Sequence, residues 1–237
     1  MPPSGAISRK REEEPELAAM ERAEVIMPGG IPLTLVAEGH LEITAQTRVL
    51  SVACGTGEVE CYLAAKYGCS VVGIDVSESF VARATHKARA RRLDRLAQFR
   101  VGDGNALQVD AGTFDLVYCS GALCDFLDKG LAEFHRVLRP GGRAVVIDVV
   151  FQSDQVPFHV EQYWSVGATR VMTVADECRA FADHGFKTVF AESYDEPSWW
   201  EAYYEDREPT QAWHAERARY RVHQDYVAVG LFVMEKQ

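Results

Sequence analysis

The sequence has few of the features that mark secreted, zinc-binding or membrane-spanning proteins. Its six cysteines form no C-x-x-C pair, and no group of cysteines and histidines has zinc spacing. The first residues, MPPSGAISRKREEEPE, contain no apolar run of signal-peptide length, and no stretch approaches the ~20 apolar residues of a membrane span. Most of these cysteines fall in predicted strands, helices or the glycine turn, a usage that suggests a reducing cytoplasm. We therefore expect a soluble, cytoplasmic protein that does not bind a metal.

Positive charge is also scarce. The chain has 25 Lys and Arg against 35 Asp and Glu, for a net charge of −10. Nucleic-acid-binding domains usually present a basic surface, so neither DNA nor RNA is expected as a partner. The 237 residues suit one α/β domain with additions, and 47% hydrophobic content is ordinary for a globular protein. Nothing in the sequence fixes the number of subunits.

One stretch carries most of the information. It reads in order as strand Arg48–Val52, turn Ala53–Gly57, helix Glu58–Tyr67, strand Val71–Ile74 and acid Asp75. Small residues in such a turn let a ligand approach the backbone closely. Parallel strands present their carboxyl ends to one crevice, so the turn and Asp75 should face the same ligand. A carboxylate there can accept both hydroxyl hydrogens of a ribose.

A strand-turn-helix unit of this kind also occurs in nicotinamide oxidoreductases, but the glycine spacing argues against that class of enzyme. The dinucleotide pattern G-x-G-x-x-G requires a third glycine, and Glu60 occupies that position. The stretch instead resembles the first motif of class I S-adenosylmethionine-dependent methyltransferases, acid-x-Gly-x-Gly-x-Gly. Gly55 and Gly57 match the last two glycines, while Ser51 and Ala53 replace the acid and the first glycine. In the family, that acid helps to hold the amino group of the cofactor's methionine part.

Three later motifs extend the resemblance from Arg48 to Val150. Gly102–Leu107 resembles the family's Gly-Asp-Ala-x-x-Leu, in which the aspartate, here Asp103, accepts a hydrogen bond from the adenine amino group. Thr113–Cys119 resembles the fourth strand. Arg139–Gly142 resembles the Pro-Gly-Gly turn that precedes the fifth strand, Ala144–Val150. A carboxylate beside an exocyclic amine gives a charge-assisted bond, although an Asp before Gly also commonly caps a loop.

The resemblance implies a Rossmann-like, doubly wound α/β fold. We expect a seven-stranded sheet whose last strand, Tyr226–Glu235, is antiparallel and lies at the sheet edge, plus a small cap. The expected divisions are a flexible tail at 1–15, N-terminal helices over the cofactor site at 16–46, and a methyltransferase domain at 47–237 with insertions at about 151–172 and 196–222. The insertion before the last strand, at about 196–222, resembles that of small-molecule methyltransferases of the ubiquinone-biosynthesis-like group.

The resemblance also implies the site residues. Binding of the S-adenosyl-L-methionine cofactor is assigned to Ser51, Ala53, Cys54, Gly55, Gly57, Asp75, Val76, Asp103, Gly104, Asn105 and Ser120. Binding of the small-molecule substrate is assigned to Gly29, Cys124, Tyr163, Trp164, Trp199, Trp200 and Tyr203. The aromatic residues could wall a pocket or only pack the cap onto the domain.

Two residues are candidates for catalysis. Asp148 near the end of the fifth strand could orient or deprotonate an acceptor, and His159 in the cap could act as a base. Their alternatives are a carboxylate paired at the edge of the core and a solvated loop histidine. An arsenite methyltransferase would need reactive cysteines, and Cys119, Cys124 and Cys178 do not match that placement.

The sequence therefore predicts an S-adenosylmethionine-dependent methyltransferase that acts on a small molecule. The alternative is a non-catalytic protein of the same fold that holds the cofactor or its product. The replacements at Ser51 and Ala53 keep that alternative open.

Overall fold

A computed structural model describes residues 29–165, 170–196, 200 and 211–237. Residues 1–28, Trp199 and Tyr203 lie outside the described residues. The helices are α1 Gly30–Glu38, α2 Glu58–Tyr67, α3 Glu78–Ala90, α4 Leu127–Val137, α5 Phe158–Trp164, α6 Val174–Asp183 and α7 Gln211–His223, with a 3-10 turn at Leu123–Asp125. The strands are β1 Arg48–Val52, β2 Ser70–Asp75, β3 Ala97–Val101, β4 Phe114–Ser120, β5 Leu138–Phe151, β6 Met172–Thr173, β7 Phe186–Tyr194 and β8 Val227–Lys236.

These strands form one sheet in the order β3-β2-β1-β4-β5-β8-β7, and β6 pairs with β5. The strand β8 is antiparallel to both β5 and β7, whereas β1 is parallel to its neighbours β2 and β4. The predicted fold class is confirmed, with the two-residue β6 as an additional eighth strand. The strand order reverses between β1 and β4, and this switch point opens a crevice at the carboxyl ends of the strands.

The predicted edge position of the last strand is wrong. The strand β8 lies inside the sheet between β5 and β7, and β7 is the edge strand. The first eight residues of β8, from Val227 to Met234, are all buried. Alternate residues of this apolar run pack into the layers on the two faces of the sheet, and β7 pairs with the outer side of β8.

Two apolar layers pack against the two faces of the sheet. Because successive side chains alternate between faces, Val49 of β1 joins the layer formed with α1, α2 and α7, whereas Leu50 joins the layer formed with α4 and α6. Residues Leu33, Cys61 and Tyr220 bring the three helices to the first layer.

A side-chain cap sets the start of α3, whereas the start of β5 differs from the prediction. Ser77 caps α3, since its side chain accepts a hydrogen bond from the N–H of Phe80 at 3.3 Å. The predicted turn at Arg139–Gly142 differs from the structure, where β5 already begins at Leu138. Phe114 pairs with Leu138 and Leu116 with Arg143, so the extra residues bulge out of the strand.

Among the described residues, no helix is both long enough and apolar enough to cross a bilayer.

Candidate active site

Backbone hydrogen bonds hold the turn after β1 in place. The N–H of Cys54 donates to the carbonyl of Ile74 at 3.1 Å, and the N–H of Gly57 donates to the carbonyl of Cys54 at 3.0 Å. Ala53, Gly55 and Gly57 have φ values of 56°, 52° and 76°. This left-handed region suits glycine, so Ala53 is held in a conformation that its side chain disfavours. Sparse conformations of this kind cluster at ligand sites.

Asp75 connects the ends of the first two strands. Its Oδ2 accepts from the N–H of Gly55 at 2.9 Å, and its Oδ1 accepts from the N–H of Ser77 at 2.9 Å. An ionised carboxylate has about four acceptor positions, so these two bonds fix its orientation and leave capacity for ribose hydroxyls. The next residue, Val76, is 71% exposed and offers an apolar surface beside the carboxylate. The structure thus brings Gly55, Asp75 and Val76 together as expected.

The loop after β3 lies against the same strand end. The N–H of Gly102 donates to the carbonyl of Asp75 at 2.9 Å. Asp103 is exposed, and its Oδ1 accepts from both the backbone N–H and the side-chain amide of Asn105, each at 2.8 Å. The backbone bond from Asn105 holds the pKa of Asp103 below its usual range. A Cβ added at Gly104 would lie 2.8 Å from the side chain of Val52, so the loop packs closely here.

Sequence reasoning missed Glu60, which contacts Ser51 at the predicted acid position. The hydroxyl of Ser51 donates to Oε1 of Glu60 at 2.5 Å, and each residue is only 2% exposed. Burial raises the pKa of Glu60 to about 7, opposed by the hydrogen bond from Ser51. The available signal in the sequence was that Glu60 lies nine residues after Ser51, which itself replaces the acid of the family motif. Alone, that spacing is not a motif.

The first described helix covers the neighbouring strand end. Thr34 of α1 and Tyr118 of β4 join their hydroxyls at 2.8 Å, and both side chains are buried. Gly29 precedes this helix with a φ of 87°, and a Cβ there would lie 2.2 Å from Leu33. Gly29 is therefore needed for the start of α1, and its contact with a substrate stays a prediction.

Asp148 is buried in the sheet. The carboxylate of Asp148 accepts from the N–H of Cys124 and from the N–H of Val149, each at 2.9 Å. The first bond holds the 3-10 turn that follows Ser120 and the end of β4. Burial raises the pKa of Asp148, and buried Glu177 lies close enough to be influenced by its charge. This arrangement matches the structural alternative for Asp148.

The two predicted catalytic residues are not brought together. Asp148 sits at Cys124, on the face of the sheet that α4 and α6 cover. His159 is exposed on α5, whose Val160 packs into the layer on the opposite face. The ring centroid of His159 lies 5.9 Å from that of His223, a residue that sequence reasoning missed.

Most of the described cap aromatics pack into the domain. Trp200 is 1% exposed and stacks on Tyr220 with centroids 4.4 Å apart. The indole N–H of Trp164 donates to Nδ1 of His223 at 3.2 Å. Tyr163 is partly exposed and lines a surface cavity with His159, Ala218, Val222 and His223. Packing therefore accounts for Trp164 and Trp200, while Tyr163 is partly exposed at this cavity.

Burial disfavours the thiolate forms of the three cysteines considered for arsenite chemistry. Burial raises the pKa of Cys119, Cys124 and Cys178 above the usual thiol range. All six cysteines of the chain are unpaired. Thiol nucleophiles and metal ligands act as thiolates. The arrangement therefore gives no support to arsenite chemistry.

Comparison with known proteins decides what this site belongs to. Residues 50–146 match the sequence family described as "Methyltransferase domain". This segment runs from β1 to β5 and holds the turn, Asp75 and Asp103. Over residues 50–146 the chain is similar to methyltransferase domains, and its fold is that of solved S-adenosylmethionine-dependent methyltransferases. The predicted resemblance is confirmed, and the cofactor of this family is S-adenosylmethionine.

Individual relatives of the methyltransferase domain are more distant. The 27-O-demethylrifamycin SV methyltransferase of Amycolatopsis mediterranei is 31% identical over 173 residues, which cover 69% of this chain and 64% of that protein. The chain spans less than two thirds of the length of the curated relatives it matches.

Solved structures show the same fold at lower identity. The [4+2]-cyclase SpnF has a TM-score of 0.76 and 24% identity, with 86% of this chain and 80% of that chain covered. A geranyl diphosphate C-methyltransferase from Streptomyces coelicolor, in complex with Mg²⁺, geranyl diphosphate and S-adenosylhomocysteine, has a TM-score of 0.75 and 19% identity, with 88% and 78% covered.

Proposed function

We propose that this protein transfers the methyl group of S-adenosylmethionine to a small-molecule acceptor in the cytoplasm. The observation that carries the proposal is the carboxylate of Asp75, fixed by the N–H groups of Gly55 and Ser77 at the switch point of the sheet. A preoriented carboxylate beside a glycine turn suits a ribose. The family match over residues 50–146 supports this use of the crevice.

Each part of the crevice has a matching role in holding the cofactor. Asp75 would accept the ribose hydroxyls, and Val76 would lie against the adenine face. Asp103, kept ionised and oriented by Asn105, would accept from the adenine amino group. A cofactor held at three points presents its methyl group in one direction, which is how an enzyme lowers the entropy cost of a displacement.

The chain also supplies cover and a candidate base. Methyl transfer is a direct displacement at a sulfonium carbon, so water must be kept away. The helix α1 packs on β4 through Thr34 and Tyr118, and we propose that this helix closes the cofactor site. His159 is exposed beside the cavity that Tyr163 lines, whereas Asp148 is buried under Cys124. We therefore favour His159 as the group that takes a proton from an acceptor.

The acceptor is best sought among hydroxylated organic molecules. The relative from Amycolatopsis is named for methylation of an oxygen in such a compound. The net charge of −10 favours a small molecule over a nucleic acid. One structural neighbour, SpnF, is a cyclase, so binding of the cofactor alone would not establish methyl transfer.

The test separates binding from transfer. S-adenosylmethionine and S-adenosylhomocysteine are titrated into the full chain in a calorimeter, with NAD as the control. Methyl-labelled S-adenosylmethionine is then incubated with a panel of phenols and hydroxylated polyketides, and labelled products are separated by chromatography. Binding followed by a labelled product supports the proposal. Binding without any labelled product favours the non-catalytic alternative, and failure to bind contradicts both.

A further inference from the structure

The carboxylate beside the end of β1 comes from Glu60 of helix α2, and not from β1 itself. At the end of β1 the chain has Ser51, which carries no charge. The helix α2 instead extends Glu60 toward the same point, where Oε1 accepts the hydroxyl hydrogen of Ser51 at 2.5 Å. A carboxylate therefore stands beside the strand end despite the serine.

The second oxygen of this carboxylate is unsatisfied. Oε2 of Glu60 is buried and has no hydrogen-bond partner. Leaving a buried acceptor unpaired costs free energy, and more so when the group carries a charge. Native proteins seldom keep such an atom unless a ligand, ion or water completes it. The missing partner of Oε2 should be a hydrogen-bond donor, and a cationic donor fits an acid best.

The charged groups near Glu60 are Asp75 and Lys87. Asp75 of β2 lies close enough to raise the pKa of Glu60, while Lys87 of α3 lowers it. The ammonium of Lys87 already bonds Oε2 of Glu58 at 2.7 Å. Burial raises the pKa of Cys54 in the turn and of Tyr118 on β4, and the Glu60 charge adds to both shifts.

Glu60 thus lies in electrostatic range of the glycine turn and of the ends of β2 and β4. Two nearby acids, Glu60 and Asp75, give this end of the crevice a negative potential that attracts a cation. A Cβ at Gly57, one turn before Glu60, would collide with Ala84 and Phe99 at 2.7 Å, so α2 is held tightly in place.

We propose that Glu60 binds the α-ammonium group of the cofactor's methionine part, with Ser51 orienting the carboxylate. This assignment rests on the proposed use of S-adenosylmethionine. It makes Glu60 a cofactor-binding residue and Ser51 a positioning residue. The acid that the first motif lacks on β1 is supplied from α2.

The test compares two ligands that differ in the ammonium-bearing part. S-adenosylhomocysteine carries the amino acid portion, and 5′-methylthioadenosine lacks it while keeping the adenosine. The dissociation constants of both are measured by calorimetry for the full wild-type chain and for Glu60→Gln. We expect Glu60→Gln to weaken S-adenosylhomocysteine about ten- to a hundredfold, the effect of one charge-assisted bond. The affinity for 5′-methylthioadenosine should be unchanged.

Two further variants act as controls. Glu42→Gln removes the same charge at an exposed position just before β1, and it should alter neither affinity. Ser51→Asp combined with Glu60→Ser returns the acid to the strand and should recover most of the affinity for S-adenosylhomocysteine. This double variant also keeps the test open if Glu60→Gln folds poorly.

The outcomes separate this inference from the proposed function. Equal weakening of both ligands by Glu60→Gln, or no weakening of either, would overturn the ammonium assignment while leaving cofactor binding intact. If the wild-type chain binds neither ligand, the proposed function itself fails and the assignment fails with it.

Discussion

The carboxylate of Asp75 and the backbone N–H of Gly55 are joined at 2.9 Å across the ends of two neighbouring strands. This bond connects residues 20 positions apart in sequence and fixes the turn relative to the acid. Because Ser77 donates to the other oxygen, the acid is restrained on both sides. A site with its acid already oriented loses less conformational entropy when the ligand binds.

The first prediction concerns this acid. Asp75→Ala should lower the free energy of unfolding by roughly 1–3 kcal/mol, because two backbone donors lose their acceptor. It should also weaken S-adenosylhomocysteine about ten- to a hundredfold in calorimetry. Asp110→Ala, at an exposed position, is the control and should change neither quantity. Unchanged affinity in Asp75→Ala would remove the ribose from this carboxylate.

The second prediction concerns Asp103 and the recognition of adenine. Both observed bonds from Asn105 reach Oδ1 of Asp103, so we expect Oδ2 to accept from the adenine amino group. Asp103→Ala should bring the dissociation constants of the adenosine and inosine forms of S-adenosylhomocysteine closer together. Asn105→Ala should reduce this discrimination less, because it removes only an orienting bond. Equal discrimination before and after Asp103→Ala would place adenine elsewhere.

Local patterns made much of the fold predictable. The strand Arg48–Val52 and the helix Glu58–Tyr67 have their predicted bounds, because both depend on short-range apolar spacing that a sequence displays directly. The Asp75 crevice followed from the general rule for parallel strands. The interior position of β8 did not, since its apolar run is compatible with several places in a sheet until β7 is seen to cover its outer side.

Side-chain contacts between distant residues were the part that sequence could not give. Trp164 and His223 meet across 59 positions, and their contact depends on how α5 and α7 pack. Asp148 looked available at a strand end, but it is buried because Cys124 and its turn fold over it. Glu60 looked like a departure from a glycine pattern and proved to be the partner of Ser51. The partner of a polar side chain depends on how the elements pack in three dimensions, and the periodicity of a sequence carries no information about that packing.

The third prediction concerns the strained alanine in the turn. Ala53 has a φ of 56°, a conformation that costs a non-glycine residue roughly 1–2 kcal/mol. Ala53→Gly removes this cost but adds about 0.5–1 kcal/mol of chain entropy. We expect a net gain in the free energy of unfolding of up to about 1 kcal/mol, measured by urea denaturation. Ala111→Gly, at an exposed loop position without positive φ, should be slightly destabilising. A loss of stability in Ala53→Gly would mean that the Ala53 methyl packs favourably.

The fourth prediction concerns an acid added at the strand position alone. Ser51→Asp places a second carboxylate against Glu60, which is only 2.5 Å from the present hydroxyl. Two adjoining buried carboxylates cannot both ionise, so one should retain a proton. We expect a lower melting temperature at pH 8 than at pH 5, and no tighter binding of S-adenosylhomocysteine. Clearly tighter binding with unchanged stability would show that the two side chains do not meet.

The last prediction follows from the pKa of Glu60, which burial raises from 4.5 to about 7. The folded state therefore binds the proton of the Glu60 carboxyl more tightly than the unfolded state does. The stability that this protonated carboxyl contributes is full below pH 4.5 and is lost as pH rises through about 7. Glu60→Gln has no such proton to lose. Its free energy of unfolding should exceed that of the wild type increasingly from pH 5 to pH 8, by up to roughly 3 kcal/mol.

Urea denaturation of both proteins across this range measures the difference, in which Asp148 and Glu177 cancel because both proteins contain them. Adding S-adenosylhomocysteine should favour the wild type again, since the ligand supplies the donor that Oε2 of Glu60 lacks. A constant difference across the pH range would mean that Glu60 ionises as readily as an exposed acid, and the negative end of the crevice would then need no cation.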